Sequence, residues 1–86
     1  MKNIVFTIKN EEGLHARPAT DFCETAISFA SAVTVHKEGE SEIFDAKSLL
    51  SILCLGAVKG DTIRISAEGD DEEQALEALR SALEKT

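Results

Sequence analysis

The change of apolar spacing that decides the fold lies in residues 4–30, which read IVFTIKNEEGLHARPATDFCETAISFA. Ile4, Phe6 and Ile8 occupy alternate positions, and this period of two predicts a half-buried β-strand. Further along, the apolar residues recur every three or four positions and form the stripe of an amphipathic helix: Ala19, Phe22, Cys23, Ala26 and Ala30. The stretch therefore predicts a strand, a polar loop and a helix in succession.

The same alternation returns after this helix. Val33 and Val35 are separated by polar residues and predict a second strand. Residues 37–41, which read KEGES, predict a hairpin turn in which Gly39 supplies the tight backbone. We expect a short third strand to open at Ile43.

The second half of the chain predicts a helix, a strand and a final helix in succession. A short second helix is predicted from Ser48 to Cys54, and Gly56 is expected to end it. The inward residues of a fourth strand are Ile63, Ile65 and Ala67. The last helix presents one apolar face, formed by Ala75, Leu76, Leu79, Ala82 and Leu83. We expect Asp70 to cap this helix, with Glu73 three positions later in a capping-box arrangement.

These elements predict an α+β fold. Since every helix has one apolar face and the strands alternate, we expect a two-layer open-faced sandwich, a sheet covered on one face by three helices. The spacing does not define the order of the strands. A ferredoxin-like arrangement, which would suit a small-ligand domain, fits the first six elements equally well.

The composition fits one globular domain over residues 1–86. The chain is 43% hydrophobic and 29% charged, which is typical of a folded domain. Its net charge of −7 argues against a nucleic-acid partner, because such proteins collect positive charge on one face. No run of about 18 apolar residues occurs, and no signal-peptide pattern is present. We therefore expect a cytoplasmic monomer that does not insert into membranes.

The chemically informative stretch is residues 13–18, which read GLHARP and join the first strand to the first helix. The leading glycine permits a turn, and Pro18 suits the first turn of a helix because it lacks an N–H group. We expect His15 at or next to the N-cap, with the free backbone N–H groups of Ala16 and Arg17 beside its ring. These donors and the helix dipole favour a phosphate attached to His15.

Arg17 strengthens this interpretation. Its planar guanidinium can hold phosphate oxygens bidentately, and the positive surroundings should keep His15 neutral and nucleophilic. Such a site can accept and release a phosphoryl group, whereas hydrolysis needs a carboxylate base, and the nearest in sequence are Glu11 and Glu12. A surface histidine that merely caps the helix remains the alternative.

The other histidine and the two cysteines have structural interpretations. His36 falls on the polar side of the second strand and is expected to be exposed. Cys23 and Cys54 form no CxxC pair and are interpreted as free, buried side chains rather than a disulfide. A structural zinc site needs four ligands, so we expect no metal and no cofactor.

The segment Gly13-Leu14-His15-Ala16-Arg17-Pro18-Ala19 resembles the phosphohistidine signature of the HPr family. This family contains the phosphocarriers of the bacterial phosphoenolpyruvate-dependent sugar phosphotransferase system. The similarity continues in residues 47–50, 55–56, 59–63 and 66–73 and covers essentially the whole chain. It implies a single HPr-like domain and an antiparallel sheet in the order 1-4-2-3.

The resemblance also implies partners and roles. Enzyme I would phosphorylate His15 from phosphoenolpyruvate, an enzyme II A component would then take the phosphoryl group for sugar uptake, and Arg17 would hold the phosphate. Such a protein is a carrier and not an enzyme. Ser48 would be the target of a serine kinase/phosphorylase, with a catabolite-control transcription regulator as a further partner. The apolar residues expected to form the docking surface are Leu49, Leu50 and Leu53.

One region departs from familiar members of the family. Where the first helix of those proteins carries exposed lysines, this sequence has Asp21 and Glu24, and Ile27 stands where a lysine is common. Like charges on the two partners would slow their association. Either the partner's surface differs here, or the protein is a carrier in another branch, such as a nitrogen-related phosphorelay. A regulatory binding module controlled through Ser48 is the alternative from a different class.

Overall fold

The computed structural model describes residues 1–85 and contains four strands and three helices. Their order is β1 (Lys2–Thr7), α1 (Ala16–Ile27), β2 (Ala32–Lys37), β3 (Phe44–Asp45), α2 (Leu49–Leu55), β4 (Thr62–Glu68) and α3 (Glu72–Glu84). The strands form one sheet in the order β1-β4-β2-β3, and every neighbouring pair is antiparallel. The predicted α+β sandwich is confirmed, as is the strand order implied by the family resemblance.

Strand β4 lies at the centre of the sheet and determines which residues enter the core. It pairs with β1 on one side and β2 on the other, and Ile65 stands opposite both Ile4 and Val35. The inward side chains of β4 are fully buried, while Arg64 and Ser66 point to the opposite, open face. The period-two pattern of this strand therefore separates the core from the open face of the sheet.

The helices cover the other face of the sheet. Helix α3 packs on β1 and β4, and α1 packs between α2 and α3. Helices α1 and α3 run in opposite directions: Asp71 before α3 bonds to Ala30 after α1, whereas Lys85 after α3 lies near Arg17. None of these three helices, within residues 1–85, combines the length and apolar content needed to cross a bilayer.

Two boundary predictions are wrong at the level of single residues. Ala30 lies beyond the end of α1, because the helix ends at Ile27 and the chain turns toward β2. Strand β3 begins at Phe44, and Ile43 is exposed in the hairpin. The predicted turn at Gly39 is present, with φ of +87°.

The predicted cap of α3 is also wrong. The N-cap residue is Asp71 rather than Asp70, and its side chain does not cap its own helix. Instead the Asp71 carboxylate accepts hydrogen bonds from the Ala30 N–H at 2.9 Å, the Ser31 N–H at 3.0 Å and the Ser31 hydroxyl. These bonds, that of the hydroxyl above all, hold the pKa of Asp71 below its usual value. The Asp71 carboxylate therefore makes tertiary hydrogen bonds to the residues after α1 and does not cap its own helix.

Two expectations about exposure need correction as well. His36 is half-buried, because Arg64 stands opposite it in the sheet and the Glu38 carboxylate lies 4.0 Å from its Nε2 atom. Cys23 is buried as expected, and burial raises the pKa of its thiol. Cys54 is exposed rather than buried, and both cysteines are free.

We predict that Asp71→Asn lowers the melting temperature at pH 7 and flattens the acid dependence of stability. Because the folded-state pKa of Asp71 is lowered, its contribution is complete above about pH 4 and is lost as the pH falls through the folded-state value. Thermal unfolding between pH 2 and 7 measures this. The control is Asp70→Asn, which removes an exposed carboxylate one position away. Equal losses in both variants would show that the bonds to Ala30 and Ser31 do not stabilise the fold.

Candidate functional site

The loop before α1 is fixed by backbone contacts to the segment after α2. The N–H of Leu14 donates to the Ala57 carbonyl at 2.9 Å, and the Leu14 side chain is buried. Within the loop, the Gly13 N–H donates to the Asn10 carbonyl at 3.2 Å, and the Asn10 side-chain amide donates back to the Gly13 carbonyl at 3.0 Å. The loop before α1 is therefore attached to the segment after α2 and is closed by hydrogen bonds of its own.

Gly13 is required at its position for two reasons. Its φ of +65° lies in the left-handed region, which residues with a Cβ rarely adopt. In addition, a Cβ on Gly13 would lie 2.7 Å from the Cα of Val58 and closer still to the Ala57 carbonyl oxygen. The two backbone segments can approach this closely only because Gly13 has no side chain.

His15 occupies the N-cap position of α1, as predicted. Its backbone is extended, with φ of −134° and ψ of 163°, and its side chain makes no capping hydrogen bond. Its side chain is half-buried rather than fully exposed. Within residues 1–85 the imidazole has no hydrogen-bond or ion-pair partner. The capping alternative is therefore not supported, and the ring nitrogens are available for chemistry.

Ala16 begins the helix in a strained conformation. Its φ is +55°, and among residues 1–85 Ala16 is the only non-glycine residue with a positive φ. A residue with a Cβ pays about 1–2 kcal/mol for this region. Because the backbone turns sharply here, the N–H groups of Ala16 and Arg17 follow directly on His15, and first-turn N–H groups have no acceptor inside the helix. Free N–H groups at the start of a helix can bind an anion.

Arg17 and Pro18 complete the first turn in different ways. Pro18 is buried and anchors the turn to the core. Arg17 is exposed, and no carboxylate in the described part of the chain lies within 4 Å of its guanidinium. The guanidinium therefore has no ion-pair partner among residues 1–85 and is available to an anion.

Helix α2 lies beside α1 and carries the second group of predicted site residues. Ser48 is its N-cap, and the Ser48 hydroxyl accepts from the Ser51 N–H at 3.2 Å. We call Leu49, Leu50 and Leu53 the α2 patch; their exposed fractions are 41%, 72% and 39%. Leucines at these levels of exposure leave an apolar surface without a partner in the isolated chain.

The sequence prediction missed two features of this region. One is the contact between Gly13 and the Ala57–Val58 backbone, and the other is the position of Lys85 near Arg17. Both join segments far apart in the sequence, and no local pattern signals them.

We predict that Gly13→Ala lowers the free energy of unfolding by about 2–4 kcal/mol. The loss combines backbone strain at residue 13 with a forced separation of this loop from the Ala57–Val58 backbone. The matched control is Gly39→Ala, whose φ is also positive but whose Cβ would meet no atom within 4 Å. We expect this control to cost about 1 kcal/mol or less. Urea unfolding of both variants measures the difference. Equal losses would show that the approach to Val58 contributes nothing beyond the backbone conformation.

Comparison with known proteins places these features in a family. The family model described as "PTS HPr component phosphorylation site" matches residues 2–85. The phosphocarrier protein HPr of Haloferax volcanii is 43% identical over 77 residues, which are 90% of this chain and 86% of that protein. The crystal structure of HPr from Thermoanaerobacter tengcongensis superimposes with a TM-score of 0.92 at 45% identity, covering 99% of this chain and 93% of that one.

A longer relative is matched over only part of its length. The multiphosphoryl transfer protein of Haemophilus influenzae is 44% identical over 79 residues, which are 91% of this chain but 16% of that protein. The match over nearly the whole chain, together with the relatives named HPr, implies phosphotransfer partners of the phosphotransferase system (PTS) in general. The chain belongs to the HPr family, whose members are phosphocarrier proteins of that system and not catalytic enzymes.

Proposed function

We propose that His15 is the residue that carries the phosphoryl group. The observation that supports this most directly is the position of its unbonded imidazole at the N-cap of α1. An N-cap side chain lies beside the free N–H groups of the first turn, and here these belong to Ala16 and Arg17. A phosphoryl group on His15 would meet backbone donors, the positive end of the helix dipole and the guanidinium of Arg17.

The transfer step needs only these groups. A nitrogen lone pair of neutral His15 attacks the phosphorus of a phosphorylated donor, and the bond from phosphorus to the donor atom breaks with its electron pair remaining on the donor. The imidazolium then loses its ring proton, and the donor takes up a proton from solvent. Arg17 and the N–H groups stabilise the charge that builds on the phosphoryl oxygens during transfer. Attack by an acceptor reverses the same steps.

We assign enzyme I as the donor and enzyme II A components as acceptors, with sugar uptake in the cytoplasm as the outcome. The α2 patch would be the docking surface for both, since it is exposed, apolar and packed beside the helix that begins at His15. Apolar centres of this kind contribute most of the affinity in protein interfaces. Residues 1–86 would act as a single domain.

A regulatory role for Ser48 is a second candidate function. Ser48 immediately precedes the α2 patch and occupies a helix N-terminus, where a phosphate added by a serine kinase/phosphorylase is electrostatically favourable. The added charge would oppose docking of an apolar partner surface by desolvation. A catabolite-control transcription regulator would then be the partner that reads the modified form.

The charge of α1 supports the nitrogen-related alternative. Asp21, Glu24 and Ile27 are all exposed, and within residues 1–85 neither carboxylate forms an ion pair. A partner that suits this face presents basic side chains. Whether the protein is phosphorylated by enzyme I of the sugar system or by its counterpart in a nitrogen-related phosphorelay therefore distinguishes the two alternatives.

We predict that His15→Ala abolishes phosphorylation while His36→Ala leaves it unchanged. The test incubates each variant with phosphoenolpyruvate and the host's enzyme I of either branch and measures the intact mass. The parent should gain one phosphate that is lost in mild acid and is stable in base. Retention of acid-labile phosphate by the His15 variant would overturn the assignment. Both variants should unfold at nearly the parent temperature, because neither imidazole is fully buried.

We predict that Ser48→Asp slows enzyme I-dependent phosphorylation of His15 without lowering thermal stability, since Asp is as good an N-cap as Ser. Phosphorylation rates at several enzyme I concentrations, together with thermal unfolding, test this. Ser41→Asp is the control, because it adds the same charge in the exposed hairpin. Unchanged phosphorylation rates would show that Ser48 acts only as a helix cap. Faster rates would show that the partner presents a basic surface to this side of the molecule.

A further inference from the structure

The peptide unit that joins Gly13 to Leu14 is held at both of its polar ends. Its carbonyl oxygen accepts a hydrogen bond from the Asn10 side-chain amide at 3.0 Å, and its N–H donates to the Ala57 carbonyl at 2.9 Å. Because a peptide unit is planar and these two groups point in opposite directions, the two bonds fix its rotation as well as its position. The next peptide bond along the chain leads into His15.

The Asn10 side chain is suited to this contact. The atom that faces the Gly13 carbonyl has to be the amide nitrogen, because only a donor can bond to a carbonyl oxygen. Asn10 is half-buried, and its own carbonyl accepts from the Gly13 N–H at 3.2 Å. Main chain and side chain of Asn10 therefore both bond to Gly13, across a loop that belongs to neither β1 nor α1.

His15 and Ala16 lie between two fixed points. On one side are the held peptide unit and the buried Leu14 side chain, and on the other is the buried ring of Pro18. Between these points Ala16 has its strained φ of +55°. A strained residue relaxes when either neighbouring anchor is released. Since Ala16 directly follows His15, such relaxation would move the first-turn N–H groups relative to the imidazole.

We propose that Asn10 is a positioning residue for phosphoryl transfer at His15. Its amide holds the peptide unit before Leu14 and thereby keeps the imidazole and the first-turn N–H groups in one arrangement. The inference rests on the proposed role of His15. Asn10 takes no part in the chemistry, and it lies outside the α2 patch. It therefore affects the rate of the transfer step, which depends on the alignment of the reacting groups, and not the docking of a partner.

The test compares Asn10→Leu with the parent. Leucine has the same branching as asparagine but no donor and no charge. Asn10→Ala, a second variant, removes the same donor without adding apolar bulk. Asn3→Leu is the matched control, because Asn3 is exposed on β1 and its side-chain oxygen accepts from Arg64 at 2.6 Å, outside the loop. All rates are measured at a temperature where thermal unfolding shows each protein to be fully folded.

Two donors separate transfer from docking. With phosphoramidate no partner protein is needed: the imidazole attacks phosphorus as the phosphorus–nitrogen bond of the donor breaks, and ammonia leaves with that electron pair and takes up the ring proton as ammonium. Phosphate gain on His15 is followed by intact mass. With phosphorylated enzyme I, single-turnover transfer gives the maximal rate and the half-saturating concentration of this protein.

We expect both Asn10 variants to slow phosphorylation by phosphoramidate about three- to tenfold, the factor that corresponds to one hydrogen bond between neutral groups. The maximal rate with enzyme I should fall by a similar factor while the half-saturating concentration stays at the parent value. A merely structural role would do the opposite, because loss of folded protein raises the apparent half-saturating concentration and leaves the maximal rate unchanged.

Ala16→Gly supplies an independent measurement. Glycine adopts a positive φ without strain, so Asn10→Leu should slow transfer less in the Ala16→Gly background than in the parent. Equal slowing in both backgrounds would refute the link to strain at Ala16. Parent-like rates for the Asn10 variants, or equal slowing by Asn3→Leu, would refute the role of Asn10. A parent protein that gains no phosphate on His15 from either donor would instead overturn the proposed function.

Discussion

The close approach of Gly13 to the backbone of Ala57 and Val58 is the contact on which the site depends. It brings the loop after β1 against the segment after α2, and the bond from the Leu14 N–H to the Ala57 carbonyl fixes the distance between them. His15 follows two residues later, so its position relative to α2 is set by backbone contacts rather than by flexible side chains. The phosphoryl site proposed at His15 would therefore need little reorganisation when the group arrives, which would lower the barrier to transfer.

The far end of α1 is held just as firmly, and this explains how the strain at Ala16 is retained. Asp71 binds the backbone of Ala30 and Ser31, and Gly69 lies so close to Ser31 that a Cβ there would be 2.8 Å from the Ser31 Cα. With both ends fixed and its apolar face buried, α1 cannot shift to relieve the positive φ of Ala16. Strained residues persist where the surrounding structure determines their conformation, and such positions are common at functional sites.

The sequence predicted those features that depend on neighbouring residues. The alternation in β4 and the end of α2 at Gly56 appear where the local pattern placed them, and so does the stripe of α1 apart from Ala30. The strand order followed from the family resemblance and not from spacing, because pairing between β1 and β4 joins residues about sixty positions apart. The bonds of Asp71 to Ser31 and the position of Lys85 near Arg17 were missed for the same reason, since both depend on α1 and α3 lying side by side. His36 was expected to be exposed because alternation describes faces of a sheet and does not account for the size of cross-strand neighbours such as Arg64.

A phosphoryl carrier has to bind its cargo well enough to accept it and weakly enough to release it. Interactions that stabilise the phosphorylated state more strongly than the transition state would raise the barrier to the second transfer. The arrangement around Arg17 would suit this requirement, because its guanidinium shares a cavity with Glu12 and Asp21. The carboxylates offset part of the attraction, and solvent screens the rest at this exposed surface. Glu11, the other acid of this loop, is paired with Lys59 at 2.6 Å. Opposed charges of this kind would let the proposed carrier release a phosphoryl group as readily as it accepts one.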